Sequence, residues 1–252
     1  MYGKFRRSFA YTEGAIYRDV FNYDRENLIC YDNSIERKEG EVANNQSCYF
    51  IISKQDGSIT RDIKISFKKI KSPIAISADR QQALYLPNNY PIIPYQGNWI
   101  LRECSSDTIF RYLPDHSKIP FIVRTPSIQS MNIEIFLFLN ILTDRYYFME
   151  AVKKEYDLEK RRGYTITNVM YDKQEKAFFE HYVYNGDFLF KKGVYMNLFK
   201  PVNHEIVSWQ SLEADELVES YENGKLTGKL KEIAANLEEE SNPVIMLVKY
   251  KK

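Results

Sequence analysis

Cysteine and histidine are scarce in this chain of 252 residues, three of each. Cys30, Cys48 and Cys104 stand far apart, and none belongs to a CxxC pair or a Cys/His cluster, so the ligand spacing of a structural zinc site is missing. A Cys30–Cys48 disulfide and three buried thiols both remain open, and cysteine usage leaves the redox compartment undecided. His116, His181 and His204 form neither HExxH nor HxH, which removes local support for a metal hydrolase. GxSxG is absent. The glycines at 57, 163, 186 and 193 are isolated turn residues rather than a phosphate loop, and no DxDxDG calcium loop occurs. The expectation for metal and for cofactor is none.

Excess charge is lacking too. The net charge of +1 and pI near 7.6 provide no long-range field to steer the chain toward nucleic acid. Basic runs are no longer than pairs such as Lys68-Lys69 and Lys153-Lys154 and the triplet Lys160-Arg161-Arg162, so no nucleic-acid partner is expected. No apolar run is long enough for a transmembrane helix. The opening MYGKFRRSFAY has no apolar segment of the kind a secretory signal needs, so neither an export signal nor a membrane span is expected. Asn45-Gln46-Ser47 matches a glycosylation acceptor, a motif too short to be given a role.

What the chain does have is tyrosine. Twenty Tyr and fifteen Phe in a chain only 44% hydrophobic suit sheets with partly wet faces, where a phenol sits at the margin of the core. The organising stretch is Asn98 to Tyr112. There Trp99-Ile100-Leu101 and Thr108-Ile109-Phe110 flank Ser105-Ser106-Asp107, a polar turn whose Ser or Asp oxygen accepts a backbone N–H. The same design recurs along the chain. Candidate strands are 16–23, 27–31, 47–53, 59–67, 74–77, 83–86, 119–123, 164–171, 177–184 and 188–190, with the end of a further sheet unit at 2–11. Gly57 supplies a turn, residues 35–47 form a polar loop, and the proline-rich stretch 87–94 belongs outside any central strand. The apolar run 133–142 is strand or buried helix by periodicity alone. Its β-branched and aromatic content and the answering Tyr146-Tyr147-Phe148-Met149 favour a hairpin. Beyond residue 211 the acidic stretch 212–221 reads as a short helix. Leu226, Leu230, Ile233, Ala234 and Leu237 form the stripe of an amphipathic helix, ended by Asn242-Pro243 and followed by a last strand, Val244 to Val248.

Hairpins in series must pair or stack, because each is marginal alone and each open edge is a hazard. The expected fold is therefore all-β, a single domain over residues 1–252 built as a β-propeller of four-stranded blades. The strand count predicts an incomplete or reduced ring, with the amphipathic helix before the last strand. Asn27-Leu28-Ile29-Cys30-Tyr31-Asp32, Ser53-Lys54-Gln55-Asp56-Gly57, Ser105 to Tyr112, Tyr171-Asp172-Lys173-Gln174-Glu175 and Glu239 to Lys249 together resemble the six-bladed β-propeller family of Bacteroidales, mostly predicted lipoproteins of unknown function. By that resemblance the chain is a shortened, N-terminally incomplete member. A cell-envelope location is implied, and no catalytic motif carries over.

Two function classes follow. The first is a non-catalytic recognition or scaffold module for a glycan or protein partner, with Trp99, Tyr112, Tyr146, Tyr147 and Trp209 as candidate contacts, since aromatic residues supply contact area at low ordering cost. The second is a hydrolase or lyase assembled at the propeller axis from Arg102, Glu103, Asp107, Arg111, Arg124 and His181. Paired carboxylates such as Asp24/Glu26 do not by themselves set glycosidase geometry. Open blade edges predict self-association.

Overall fold

A computed structural model describes residues 8, 14–43, 47–76, 83–84, 90–156, 163–194, 196 and 206–249. The sheet unit expected at 2–11 lies outside the described residues, apart from residue 8. The chain divides into two compact units, Met1–Phe138 with Val152–Thr165, and Leu139–Ala151 with Ile166–Lys252.

In the first unit, strands β1 (Tyr17–Asn22), β2 (Asn27–Asp32), β3 (Tyr49–Ser53) and β4 (Ile59–Ile63) form an antiparallel meander in chain order. Its turns are written locally. Asp24 Oδ1 accepts the N–H groups of Glu26 and Asn27 at 2.7 Å each, and Gly57 takes φ +78° while its N–H donates to Ser53 O at 3.0 Å. A short ribbon pairs β5 (Ala75–Ile76) with β6 (Ala83–Leu84). A second meander follows from β7 (Ile92–Tyr95), β8 (Asn98–Leu101), β9 (Thr108–Tyr112) and β10 (Lys118–Val123), again with sequence neighbours paired. Its prolines keep to the margins: Pro94 on edge strand β7, and Pro120 on edge strand β10 where the register slips. Ile29, Tyr31, Tyr49 and Ile51 of the first meander pack with Ile92, Leu101 and Tyr112 of the second in one buried core.

The third meander is β11 (Ile135–Leu142), β12 (Tyr146–Lys153), β13 (Thr165–Asp172) and β14 (Ala177–Glu180), in that order. Residues 139–151 and 166–180 of this meander belong to the second unit, which holds β15 (Ile206–Leu212), helices α1 (Ala214–Glu222) and α2 (Gly228–Ala234), and β16 (Val244–Lys249), which pairs antiparallel with β15. Leu217, Leu230 and Ala234 of the helices bury against Phe188, Leu212 and Leu226. Asp187 secures the start of α2, its Oδ2 accepting the N–H of Leu230 at 2.9 Å. Gly228 lies so close beneath that a Cβ there would stand 2.5 Å from Asp187 Oδ1, and its φ is +55°. Both facts call for glycine. No helix among the described residues is long and apolar enough to cross a membrane.

The propeller expectation is corrected by this topology. The described strands make three open four-stranded meanders and two separate ribbons, divided between two units, and no sheet closes on itself. Hairpin signals specify neighbouring strands; they do not specify closure into a ring, which depends on contacts distant in sequence. Three smaller differences have local causes. Residues 188–190 are not a strand: Phe188 bridges only to Leu226, and Leu189 and Phe190 are exposed. Strand β14 stops at Glu180 instead of 184. Strand β15 was not foreseen, because Ser208, Gln210 and Ser211 interrupt its apolar pattern.

Candidate recognition surface

The turn between β13 and β14 is built on Asp172. Its Oδ1 accepts the N–H groups of Gln174 at 2.8 Å and Glu175 at 3.3 Å, and its carboxylate takes Arg145 Nη2 at 2.7 Å and Nε at 3.1–3.2 Å. The hydrogen bonds from Arg145 hold this carboxyl below the usual aspartate range. The turn fixes the register Asp172↔Ala177, Tyr171↔Phe178 and Met170↔Phe179.

This register places aromatic rings side by side. The Tyr171 and Phe178 centroids are 4.8 Å apart, and Tyr147 on β12 lies 6.1 Å from Tyr171. Three adjacent strands thus carry a ladder of three rings. The Lys173 ammonium sits 5.2 Å from the Tyr147 ring centre, within cation–π range. On the opposite face Met170 packs with Ile141 and Phe148, so side-chain alternation turns the ladder away from that core. Tyr147 and Tyr171 are half-buried, whereas Phe178 is 65% exposed.

The remaining aromatic candidates occupy other places. Tyr146 faces the core side of the same sheet, 6.1 Å from Phe148, with the Arg145 guanidinium 4.9 Å from its ring. Trp209 is half-buried opposite Leu247 of β16. In the first unit Trp99 packs against Phe21 and Tyr23 at 5.7 and 6.3 Å. Tyr112 is buried, and its hydroxyl lies 2.8 Å from His116 Nδ1, which is also 3.1 Å from the Tyr23 hydroxyl. Trp99 and Tyr112 are therefore brought together around Tyr23, in packing rather than on an open ring face.

The polar candidates converge only in part. Arg102, Glu103 and Arg124 line one cavity with Cys104, Ser106 and Phe136; its volume is about 10 Å³, room for a single water and not for a substrate. Arg102 is buried, its Nη1 lying 3.1 Å from Cys104 Sγ and its guanidinium 4.5 Å from the Phe138 ring centre. Glu103 is equally buried, with Oε1 accepting the Ser105 N–H at 3.1 Å. Asp107 is engaged in structure, accepting the Ile128 N–H at 2.6 Å and the Ser127 hydroxyl, with Arg124 Nε at 3.7 Å. Arg111 stands apart, over the rings of Tyr95 and Phe121 at 5.5 and 5.2 Å. His181 belongs to the second unit, edge-on to Phe148 at 5.1 Å, and burial keeps its imidazole below the usual pKa.

All three thiols are free and buried. Burial pushes Cys30 and Cys104 up to about 12, the latter despite its neighbouring guanidinium, and drives Cys48 higher still. Among the described residues no three His, Cys, Asp or Glu side chains come together to hold a metal.

Sequence reasoning named Tyr147 as a candidate but not its ladder neighbours Tyr171 and Phe178. The signal was present: a four-residue turn at 173–176 closing on Asp172 and Ala177 makes Tyr171 and Phe178 the next pair.

No family model matches the chain, and no curated protein matches it. Among solved structures, the fold is similar to that of a Bacteroides fragilis protein inferred to be exported, with a TM-score of 0.53 and 16% sequence identity. The match covers 94% of this chain and 66% of that protein, so this chain spans about two thirds of its length. At that identity the likeness concerns fold alone. The resemblance to a six-bladed lipoprotein family is corrected accordingly: what stands is a distant likeness of fold to one exported Bacteroides protein, with no lipoprotein or propeller assignment.

Proposed function

We propose that this protein is a non-catalytic recognition module that binds a glycan chain along the Tyr147–Tyr171–Phe178 ladder. The observation that carries the reading is the spacing of those rings, 6.1 and 4.8 Å across three strands on a face turned from the core. A row of rings on a sheet face turned from the core suits a ligand that is itself a row of flat units with apolar C–H faces, and a polysaccharide is such a ligand. Lys173 beside Tyr147 adds a hydrogen-bond donor for sugar hydroxyls at one end of the row. Export, as inferred for the Bacteroides fragilis protein, forms part of this proposal.

Calorimetric titration with neutral and acidic oligosaccharides tests it. Wild-type protein binds at least one class selectively. Tyr171→Ala weakens that binding by about tenfold, the loss of roughly one stacked ring's worth of interaction, while its circular dichroism stays unchanged. Absence of binding across the panel, or equal affinity in Tyr171→Ala, overturns the reading.

A further inference from the structure

The ladder ends at Phe178, but the face it occupies continues along the chain. The His181 N–H donates to Asn168 O of β13 at 3.1 Å, which carries the pairing one residue past the end of β14. Contacts then show which way the following side chains point. His181 lies edge-on to Phe148 at 5.1 Å, and Val183 packs with Met170 against Ile141 and Phe148, so both belong to the core side. By alternation Phe178, Glu180, Tyr182 and Tyr184 stand on the opposite side, which is the side of the ladder. Their exposure agrees: Tyr182 is 67% exposed and Tyr184 45%.

These residues make a second row that is built as well as exposed. The Tyr182 hydroxyl donates to Glu180 Oε1 at 2.9 Å, and the Lys191 ammonium sits 5.5 Å from the Tyr184 ring centre. A small hairpin holds that end in place, the Asn185 N–H donating to Lys192 O at 2.9 Å and the Val194 N–H to Val183 O at 2.8 Å. The two rows share Phe178 and run in different directions. The ladder crosses three strands, whereas the second row follows the chain, with about 6.6 Å between successive outward residues. A linear ligand can lie along one row only. We infer that the ligand is a branched glycan, its backbone on the ladder and a neutral side branch turned at Phe178 onto Glu180, Tyr182 and Tyr184. The Glu180 carboxylate accepts hydroxyls of the branch, the two tyrosine rings cover its apolar C–H faces, and Lys191 supplies a donor at the far end. The same carboxylate sets the charge of the branch, because an acidic sugar there would meet a like charge.

This inference rests on the glycan reading of the ladder, and variants of the two rows separate their fates. Calorimetric titration of the full chain uses neutral gluco-, manno- and xylo-oligosaccharides, each as a linear chain and with a neutral one-unit branch. One branched member binds about tenfold tighter than its linear counterpart. Tyr182→Ala removes that advantage and leaves the linear affinity unchanged, whereas Tyr171→Ala weakens both ligands; circular dichroism is the same throughout. Equal affinity for branched and linear ligands in wild type, or an advantage that survives Tyr182→Ala, overturns the branch and leaves the ladder standing. A linear affinity that falls as far in Tyr182→Ala as in Tyr171→Ala also overturns it, since the second row then holds the backbone. Absence of binding to every pair overturns both readings.

Discussion

Replacing Asp107 by alanine separates a structural role from a catalytic one at the position where sequence reasoning placed an acid. Asp107 Oδ1 accepts the N–H of Ile128, a fully buried residue, at 2.6 Å, and its other oxygen takes the Ser127 hydroxyl. Alanine leaves that buried N–H without its acceptor, at a cost of about 1–3 kcal/mol. Arg124, whose side chain is 14% exposed, also loses its carboxylate at 3.7 Å. This adds up to about 1 kcal/mol. The expected destabilisation is roughly 1–4 kcal/mol, a fall in Tm of about 2–16 °C for a chain of this size. Asp107→Asn retains a carbonyl for Ile128 and costs only about 1 kcal/mol. Urea unfolding followed by tryptophan fluorescence measures both, with the denaturation slope as a check that only stability has changed. If alanine costs no more than asparagine, or less than about 0.5 kcal/mol, the hydrogen bond to Ile128 does not hold this corner.

Two further outcomes follow from burial and from charge. With Cys30 and Cys104 raised to about 12 and Cys48 higher, none of the three thiols reacts with a disulfide reagent at pH 8 in the folded chain, and all three react in denaturant; rapid labelling under native conditions would refute this. Asp172 is held below the usual carboxylate range by Arg145, so folding favours its ionised form. Its contribution is complete above the unfolded aspartate value of about 3.9 and is lost as the pH falls through the lower folded value. Arg145→Met therefore flattens the acid-side decline of the urea midpoint, and an unaltered decline would contradict the pairing.

The hairpins were legible because their turns are chemical signals. Ser106 Oγ accepts the Thr108 N–H at 3.1 Å, as the Ser105-Ser106-Asp107 cluster implied. Its burial was not legible: polar letters point to solvent, yet Arg102, Glu103, Ser105 and Ser106 are all buried, held in part by close partners such as Cys104, Lys71 O and the Ser105 N–H, while Arg102 Nη2 and Glu103 Oε2 have no hydrogen-bond partner among the described residues. The same limit applied to the aromatic candidates. Tyr112 and Tyr147 look alike in sequence, but the first buries its ring and turns its hydroxyl to the exposed turn residue His116 while the second lies on the ladder. Side-chain direction depends on strand register, and register became readable only where a short turn fixed it, as at 173–176.

The path of the chain between its two units bears on how the protein can be made. The first unit reclaims Val152–Thr165 after Leu139–Ala151 has gone to the second. That returning stretch is secured within the first unit: the Lys154 N–H donates to Glu134 O at 2.8 Å, its ammonium to Ser72 O at 2.9 Å, and the Tyr164 hydroxyl to Pro73 O at 2.5 Å. During synthesis the first unit therefore stays unfinished until residue 165 has emerged from the ribosome, by which time the opening strands of the second are already outside. The two units mature together, and no single cut in the polypeptide separates one from the other intact.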